Sequence, residues 1–402
     1  MSGEVIRRHT YGESHAGEAG GFIGVAARTP GRNRAALDDC VAVVDAASMH
    51  EGGWDLRSYG AVLTNVSSEE LASRFVGAEE IPTIVKAEYV EHISDGDVLG
   101  LDFRKGYVRS LYRIGSSFNT IFATDQCNSN CLMCSQPPKD VDDSGVVAEH
   151  LRLIRLIPAT TESLGITGGE PTLLGEGLFA VLTECKNRLP LTRLHMLTNG
   201  RTFAHLPTVR KLAAIQHPNL TLGIPLYSDV ASHHDYVVQA NGAFDQTMLG
   251  FHNLATHGVR IEIRVVLHRQ TYKRLPKLAR FIYRNVPFAE HIALMGLEMM
   301  GYTKTNLKAL WIDPVDYQDQ LLESVEYLSG AGMNVSIYNH QLCVLHRSLW
   351  RYARKSISDF KNLYLDECAR CAVVERCGGL FKSAEHIHSA HIRALGAVSS
   401  HI

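Results

Sequence analysis

The sequence has 402 residues, of which 45% are hydrophobic and 20% charged, and its formal net charge is −2. A chain of this length and composition is expected to fold around one large core with one or two smaller units attached. Because the charge is nearly balanced and no apolar run approaches the roughly 18 residues that span a bilayer, we expect neither nucleic acid nor a membrane as a partner. The first residues lack the apolar segment of a secretory signal, so we expect a cytoplasmic protein.

The first part of the chain, over residues 1–115, is predicted to form a small β-rich accessory domain. It combines glycine-rich turns with short β-prone runs. The Asp95-Gly96 and Lys105-Gly106 pairs are typical of tight turns between strands, so each of them predicts a hairpin.

The central part of the chain, over residues 116–340, alternates short β-branched runs with amphipathic stretches, which predicts βα units and a parallel sheet. Predicted strands cover residues 119–124, 163–167, 192–197, 220–226, 260–267 and 291–297, with a further strand expected near 334–338. Predicted helices cover residues 146–157, 177–188, 243–257 and 272–283. The predicted fold class is α/β, with an incomplete (βα)6 version of the eight-unit barrel, whose reactive end lies at the carboxyl ends of the strands.

Seven of the nine cysteines fall into two groups. The first group is Cys127, Cys131 and Cys134, and the second is Cys343, Cys368, Cys371 and Cys377. Disulfides rarely persist in a reducing compartment, so metal binding is the better explanation for such grouping. Cys40 and Cys185 stand alone and are expected to be small buried hydrophobic residues.

The first group forms a C-x3-C-x2-C loop directly after the first predicted strand, in the segment TDQCNSNCLMC. Nine cysteines placed at random would give this pattern with an expected count on the order of 0.003, so accident is a poor explanation. A structural zinc ion would require a fourth protein ligand. A 4Fe-4S cluster held by three cysteines leaves one iron open for a small chelating molecule, and the spacing favours this cluster.

This loop, after the first strand of an incomplete barrel, resembles the hallmark of radical S-adenosylmethionine (SAM) enzymes. The resemblance covers roughly residues 118–340. It implies that the amine and carboxylate of SAM bind the open iron and that reductive cleavage yields a 5′-deoxyadenosyl radical. It also implies that the radical removes a hydrogen atom from the substrate, while the protein supplies positioning and excludes solvent.

A second motif, ITGGEPTLL, follows the second predicted strand. Gly168 and Gly169 permit a close backbone approach, and Glu170 offers an acceptor for an ammonium group. In the family that the cysteine loop resembles, this turn holds the methionyl amine of SAM. The resemblance therefore implies that all three residues contact the cofactor.

Three further residues are candidates for cofactor contacts. Asn199 follows the third strand and Ser228 the fourth, where family members place residues near the ribose or the methionyl carboxylate; the alternative is that they only cap helices. Arg264 alternates with apolar residues on the fifth strand. It points either inward, toward the cofactor carboxylate, or outward to the surface.

The second cysteine group, in the segment ECARCAVVERCGGLF, forms a C-x2-C-x5-C pattern with Cys343 some 25 residues upstream. It resembles the SPASM or shorter twitch extension of peptide-modifying radical enzymes. Because only four cysteines are present, the resemblance implies one auxiliary 4Fe-4S cluster within residues 341–402. A zinc site with the same four ligands is the alternative, and the sequence distance of Cys343 leaves its participation open.

Several segments together resemble the C-type maturase of the His-Xaa-Ser system. They are TDQCNSNCLMCSQPPK, LGITGGEPTLL, LTNGR and LCVLHRSLWRYARKSISDFKNLYLDECARC, and the Gln-Pro-Pro after Cys134 is the most distinctive element. The resemblance implies a ribosomally made peptide substrate with His-Xaa-Ser repeats and a second radical SAM maturase as a partner. The basic stretch between Cys343 and Cys368 has two interpretations. It contacts a partner, which would be an acidic peptide or an electron donor protein, or it is a solvated face.

Two alternatives remain open at this level. One is a radical SAM enzyme that acts on a small molecule or on RNA, although the near-neutral charge argues against RNA. The other is a non-catalytic iron-sulfur protein for electron transfer, which the Gly-Gly-Glu-Pro turn disfavours. The residues assign no catalytic acid, base or hydrogen-atom donor.

Overall fold

Two β-sheets organise the chain, one on each side of residue 115. A computed structural model describes residues 9–11, 13–14, 21–30, 37–50, 53–75, 78–355 and 363–396. The last residues of the segment 341–402, residues 356–362 within it and parts of the predicted N-terminal domain lie outside the described residues. Within the described ranges, no helix is long and apolar enough to cross a membrane.

The first sheet contains eight strands in the order β1-β8-β7-β3-β4-β5-β6-β2. The strands are β1 (His9–Tyr11), β2 (Glu13–Ser14), β3 (Gly21–Ala27), β4 (Cys40–Val44), β5 (Ala61–Thr64), β6 (Thr83–Val85), β7 (Val98–Asp102) and β8 (Tyr107–Tyr112), with helix α1 (Ser68–Arg74) before β6. Strands β3 to β6 run parallel, whereas β7 and β8 pair antiparallel. The prediction of a β-rich N-terminal unit is confirmed.

The two predicted hairpins have different outcomes. The Lys105-Gly106 pair lies in the turn between β7 and β8, whose antiparallel register aligns Asp102 with Tyr107. The Asp95-Gly96 pair forms a turn that leads into β7, but the hairpin predicted there is wrong. Strand β7 pairs with β3 and β8, because the preceding strand β6 is occupied by β5 and β2.

The second sheet contains seven parallel strands in sequence order from β9 to β15. They are β9 (Asn119–Phe122), β10 (Ser163–Thr167), β11 (Arg193–Leu197), β12 (Leu220–Pro225), β13 (Arg260–Leu267), β14 (His291–Gly296) and β15 (Val335–Tyr338). All six predicted strands and the further strand near residue 334 are present. The curled parallel sheet confirms the predicted α/β fold class and the partial barrel.

Helices connect these strands and cover the outer face of the sheet. They are α2 (Val146–Leu156), α3 (Glu176–Arg188), α4 (Leu206–Ile215), α5 (Ala231–Val238), α6 (Ala243–Thr256), α7 (Leu275–Asn285), α8 (Tyr302–Thr305), α9 (Leu307–Leu310) and α10 (Gln318–Gly330). Helix α7 buries Leu275, Leu278 and Ile282 at helical spacing. It begins later than predicted because Pro276 fits the first turn of an α-helix, and a short 3-10 turn precedes it.

Strand β13 shows how the sheet separates its two faces. Ile261, Ile263 and Val265 are fully buried and share a core with the helices, whereas Glu262 and Arg264 alternate with them and stay partly exposed. Burying each such apolar side chain contributes about 1.5–3 kcal/mol. The period of two therefore directs Glu262 and Arg264 to the inner face of the curled sheet.

The two sheets share one hydrophobic core, and polar contacts reinforce the junction. Arg109 of β8 pairs with Glu149 of α2 at 2.6 Å. Arg152 of α2 also pairs with Asp39, which precedes β4. After β15, the chain continues through short 3-10 turns. An antiparallel bridge between Leu363 and Leu380 places the segment after Cys377 beside residue 363.

Candidate active site

The first cysteine group lies in a loop that follows β9, at the carboxyl edge of the parallel sheet. Two backbone contacts tie the start of this loop to the turn after β10. The Gly169 N–H donates to the Thr124 carbonyl at 2.7 Å, and the Glu170 N–H donates to the Gln126 carbonyl at 2.7 Å. The cysteine loop and the Gly-Gly-Glu-Pro turn, which we predicted to act together, are therefore in direct contact.

The middle of the loop is held by helix α5. The Asn130 N–H donates to the Val238 carbonyl at 3.0 Å, and the Leu132 N–H donates to the Val237 carbonyl at 2.9 Å. Because these bonds flank Cys131 on both sides, the backbone at Cys131 has a fixed position.

The end of the loop is held by the segment after β14. The Tyr302 N–H donates to the Cys134 carbonyl at 2.8 Å, and Asn306 Nδ2 donates to the Leu132 carbonyl at 2.8 Å. A Cβ atom on Gly301 would lie 2.2 Å from the Cys134 carbonyl oxygen, so only glycine allows this approach. Sequence reasoning did not single out Gly301, because one glycine near a helix start carries no functional signal.

The three thiols of the loop influence one another electrostatically. Burial raises the pKa of Cys131 above its usual range, and the charges of Cys134 and Cys127 raise it further. Burial also raises the pKa of Cys134 to about 11, with a contribution from Cys127. Three thiolates at this position therefore require a cationic partner, which iron ions supply.

The two glycines of the Gly-Gly-Glu-Pro turn are required by close backbone contacts. Gly168 has a φ of 135°, and a Cβ atom there would lie 2.5 Å from the Thr124 carbonyl oxygen. A Cβ atom on Gly169 would lie 2.0 Å from the Gln126 carbonyl oxygen. Both glycines therefore let the turn pack directly against the start of the cysteine loop.

We expect Gly169→Ala to lower the free energy of unfolding by about 2–3 kcal/mol, because a methyl group cannot fit against the Gln126 carbonyl. We also expect less iron per chain after anaerobic reconstitution, because the same contact sets the start of the cysteine loop. Denaturant unfolding and iron analysis measure the two effects. Gly145→Ala is the matched control, since a Cβ atom there meets no other atom within 4 Å. Equal stability of the two variants would contradict the assignment.

Glu170 is fully buried, and both of its carboxylate oxygens accept hydrogen bonds from the chain itself. Its Oε1 accepts bonds from the Thr172 N–H at 3.0 Å, from the Thr172 hydroxyl at 2.7 Å and from the Thr198 hydroxyl at 2.7 Å. Its Oε2 accepts a bond from the Asn199 N–H at 2.6 Å. The carboxylate thus ties the turn after β10 to the end of β11. The contacts of Gly168, Gly169 and Glu170 with SAM remain a prediction. The Glu170 side chain has no oxygen exposed for such a contact.

Asn199, at the end of β11, lies against the cysteine loop. Its Nδ2 donates to Asn128 Oδ1 at 2.5 Å. The next-but-one residue, Arg201, donates to the Asn128 carbonyl and, at 3.1 Å, to the Ser129 hydroxyl. Sequence reasoning missed Arg201, although it is part of the LTNGR segment that carried the resemblance.

The residues after β12 have two different roles. The buried Ser228 hydroxyl accepts a bond from the Val230 N–H at 3.1 Å, which is the local turn-capping contact given as the alternative to cofactor binding. Tyr227 is buried beside the cysteine loop. Burial raises the pKa of Tyr227, the charges of Cys131 and Cys134 raise it further, and Arg264 opposes them. Tyr227, to which the sequence motifs assigned no role of its own, belongs to one apolar cluster with Met133 and Cys131 of the cysteine loop. The N–H of the preceding residue, Leu226, donates to the Arg264 carbonyl at 3.0 Å.

The neighbouring Asp229 anchors this segment to helix α7. It accepts bonds from Arg274 Nε at 2.8 Å and from Arg274 Nη2 at 2.6 Å. Burial alone would raise the pKa of Asp229, but the bonds from Arg274 outweigh burial and hold the pKa below its usual value of 3.8. The ionised pair therefore stabilises the fold above that value, and this stabilisation is lost as the pH falls through the folded-state pKa.

We expect Asp229→Asn to lower the free energy of unfolding by about 1–3 kcal/mol at neutral pH. The difference from the wild type should shrink as the pH falls below about 4. Denaturant unfolding at several pH values measures both effects, and Asp140→Asn, on an exposed loop, is the control. A difference that does not change with pH would show that the Asp229 charge is not the cause.

The second cysteine group converges on a single cavity. Cys343, Cys368, Cys371 and Cys377 all line it, in a volume of about 340 Å³. Burial raises the pKa of Cys343, and the charges of Cys377 and Cys368 contribute to the shift. The structure thus brings Cys343 to the other three cysteines, which its sequence distance left open.

Backbone N–H groups already point at this second group. The Leu342 N–H donates to the Cys377 sulfur at 3.4 Å, and the Leu395 N–H donates to the Cys371 sulfur at 3.4 Å. Such bonds stabilise thiolates, which is the protonation state that binds a metal.

Residues 121–282 match the family model described as the Radical SAM superfamily. This chain carries a radical SAM domain. No curated protein matches the sequence.

Three solved structures with a similar chain path illustrate the fold. SuiB of Streptococcus suis bound to S-adenosylmethionine is 19% identical over 55% of this chain and 50% of that chain, with a TM-score of 0.44. The enzyme anSMEcpe with AdoMet and the Cp18Cys peptide is 16% identical over 54% of this chain and 62% of that chain, with a TM-score of 0.43. A radical SAM methyltransferase from Sphaerobacter thermophilus is 15% identical over 60% of this chain and 72% of that chain, with a TM-score of 0.40. The matched part spans about half the length of SuiB.

The thiols of the cysteine loop fit the 4Fe-4S cluster that a radical SAM domain implies. Within the described residues, no three His, Cys, Asp or Glu side chains are gathered as ligands of one metal ion. In a 4Fe-4S cluster each thiolate binds a different iron, so Cys127, Cys131 and Cys134 do not have to meet at one point. When bound, the cluster and SAM supply a 5′-deoxyadenosyl radical for hydrogen-atom abstraction. The chain holds the loop in place and buries it against Tyr227 and helix α5.

A cleft opens beside the radical SAM domain, at the carboxyl ends of β13, β14 and β15. The end of each strand contributes one wall residue, namely Leu267, Gly296 and Asn339, and the segment after Cys377 forms the opposite wall. Gln341, Gly379 and Leu380 line both this cleft and the cavity of the second cysteine group. One layer of residues therefore separates the two spaces.

Proposed function

We propose that this radical SAM enzyme modifies a ribosomally made peptide and that the cleft beside β13, β14 and β15 receives the residue to be modified. The observation that carries the proposal is the chemistry of the cleft wall. Among the described residues that line it, none is lysine, arginine, aspartate or glutamate. Trp311, Met299 and Phe381 provide apolar surface, and Asn339 and Gln341 provide amide groups.

This wall supports a peptide substrate over RNA. A phosphate backbone requires lysine or arginine for binding, and the lining residues supply neither. Apolar side chains with a few amide groups suit a peptide side chain and its backbone. The near-neutral net charge of −2 agrees with this choice.

The second cysteine group supports the same proposal. We propose that Cys343, Cys368, Cys371 and Cys377 hold an auxiliary 4Fe-4S cluster rather than zinc. A substrate radical in the cleft would lie one residue layer from that cluster, across Leu380, which is a short path for an electron. We also propose an electron donor protein as a partner, because reductive cleavage of SAM requires an electron.

The finer proposal is that the substrate carries His-Xaa-Ser repeats and that a second radical SAM maturase accompanies the enzyme. Two segments support this proposal because they resemble the C-type maturase of the His-Xaa-Ser system. One runs from Cys127 through the Gln-Pro-Pro after Cys134, and the other runs from Cys343 to Cys371. We propose that the reaction takes place in the reducing cytoplasm, because the seven cysteines of the two groups are free thiols.

The test is anaerobic incubation of the reconstituted enzyme with SAM, dithionite and a synthetic peptide with His-Xaa-Ser repeats. We expect 5′-deoxyadenosine and a change in peptide mass, both measured by mass spectrometry. A peptide with Ala-Xaa-Ala repeats is the control for the motif, and a structured RNA of similar mass is the control for substrate class. Modification of the RNA alone would overturn the peptide proposal. Equal modification of both peptides would overturn the repeat motif and retain the peptide class.

A further inference from the structure

Four polar side chains meet on the inner face of the parallel sheet, around Glu262 of β13. His291 Nδ1 of β14 lies 2.8 Å from Glu262 Oε2, and Arg264 Nη1 donates to Glu262 Oε1 at 2.7 Å. His195 Nε2 of β11 lies 3.4 Å from Glu262 Oε1, close enough for an ion pair but without the alignment of a hydrogen bond. We call these four residues the inner polar cluster.

The strand register explains how three strands supply this cluster. Glu262 is level with His291 on one side and with Gly223 of β12 on the other. A Cβ atom on Gly223 would lie 3.0 Å from Arg264 Cδ and 3.1 Å from His195 Nε2. Because residue 223 has no side chain, His195 reaches Glu262 across β12.

The cluster fixes the guanidinium of Arg264. Nη1 is held by Glu262, and Nη2 contacts Met295 Sδ at 3.1 Å. Burial alone would raise the pKa of Glu262, but the neighbouring imidazoles of His195 and His291 and the charge of Arg264 outweigh burial and hold this pKa well below its usual range. Glu262 is therefore ionised, and the Arg264 charge keeps a permanent partner.

The face of β13 that carries Arg264 continues toward the cysteine loop, because Val266, two residues further on the same face, packs against the apolar cluster that includes Met133 of that loop. The Leu226 N–H donates to the Arg264 carbonyl at 3.0 Å, and the next residue, Tyr227, belongs to the same apolar cluster as Cys131 of the loop. A free arginine side chain loses about 1.5–2 kcal/mol of rotamer entropy when it is ordered by a ligand. An arginine that is already held by the protein does not incur this cost on binding.

We propose that Glu262, itself held by His291 and His195, is a positioning residue that presets Arg264 to bind the carboxylate of SAM. Glu262 does not touch the ligand. It keeps the guanidinium in one orientation and satisfies the donors that face away from the ligand. The inference depends on the radical SAM domain and not on the proposed peptide substrate.

The test compares SAM with decarboxylated SAM, which lacks the carboxylate, in binding to the reconstituted enzyme. We expect Glu262→Gln to weaken SAM binding about tenfold, the size of one charge-assisted contact, and to change the binding of decarboxylated SAM less than twofold. In peptide-free SAM cleavage, KM for SAM should rise by the same factor while kcat stays within about twofold. Glu290→Gln, an exposed residue one position before β14, is the matched control.

A second pair of variants separates positioning from folding. His291→Gln keeps a donor to Glu262 and is expected to bind SAM within about twofold of the wild type, whereas His291→Leu removes the donor and should weaken binding about three- to tenfold. Equal weakening of both ligands by Glu262→Gln would overturn the proposal, as would wild-type SAM binding. Because these measurements use no peptide, a failure here differs from a failure of the proposed function.

Discussion

The Cys131→Ala variant is expected to lose the radical SAM cluster and to form no detectable 5′-deoxyadenosine. Cys131 is the central thiol of the loop, and backbone bonds to Val237 and Val238 fix it from both sides. Removing one of three thiolates leaves the cluster with two protein ligands. Two irons would then lack a protein ligand, so no single iron is set apart for SAM. The iron content should fall from about eight to about four per chain, since the second cysteine group is intact. Iron analysis and chromatography of 5′-deoxyadenosine measure the two effects.

Cys185→Ala is the matched control for this variant. Cys185 is a fully buried residue of helix α3 in the common core and does not line the cavity of the second cysteine group. We expect a modest loss of stability, full iron content and normal SAM cleavage. Retention of about eight irons by Cys131→Ala would show that the loop is not a cluster ligand.

The Cys371→Ala variant is expected to separate SAM cleavage from substrate modification. The loop proposed to hold the first cluster is untouched, so peptide-free formation of 5′-deoxyadenosine should stay within a few-fold of the wild type. Modification of the peptide should fall by at least about a hundredfold, because the proposed auxiliary cluster loses one of its four ligands. Iron should again fall to about four per chain.

Metal analysis of the wild type decides between the two forms of the second site. About eight irons per chain supports the auxiliary cluster, and about four irons with one zinc supports the zinc site. In the zinc case, Cys371→Ala would lose zinc and leave iron unchanged. Normal peptide modification by Cys371→Ala would contradict the proposed role of this site in the reaction.

The parallel sheet was predictable because its signals are local. Strands such as β13 are β-branched runs whose period of two is visible in the sequence, and even the final strand β15 was expected. Helices α4, α5, α8, α9 and α10 were not predicted, although α4 and α10 bury apolar residues at helical spacing as the predicted α3 does. The start of α7 was misplaced by three residues, since only the tertiary structure shows that the chain before Pro276 forms a 3-10 turn.

The candidate site was predictable where its residues are adjacent in sequence. The cysteine loop and the Gly-Gly-Glu-Pro turn were found together because each is a continuous motif. The inner polar cluster was not predicted, because Glu262, His291 and His195 come from three different strands. They meet only through the register of these strands and because Gly223 has no side chain. The burial of Glu170 was also hidden, because its four donors lie on two segments that are 26 residues or more apart.

The attachments of the cysteine loop set the order in which the protein can be assembled. The carbonyl of Leu132 is bonded by Asn306, which is 174 residues later in the chain, and Tyr302 bonds Cys134 from the same late segment. At about 5–20 residues per second, a ribosome makes this segment many seconds after the cysteines have emerged. The loop therefore lacks these bonds until β14 and the helices α8 and α9 that follow it have been made. Iron delivered before then would meet a site without its final shape, so cluster insertion belongs to the end of folding.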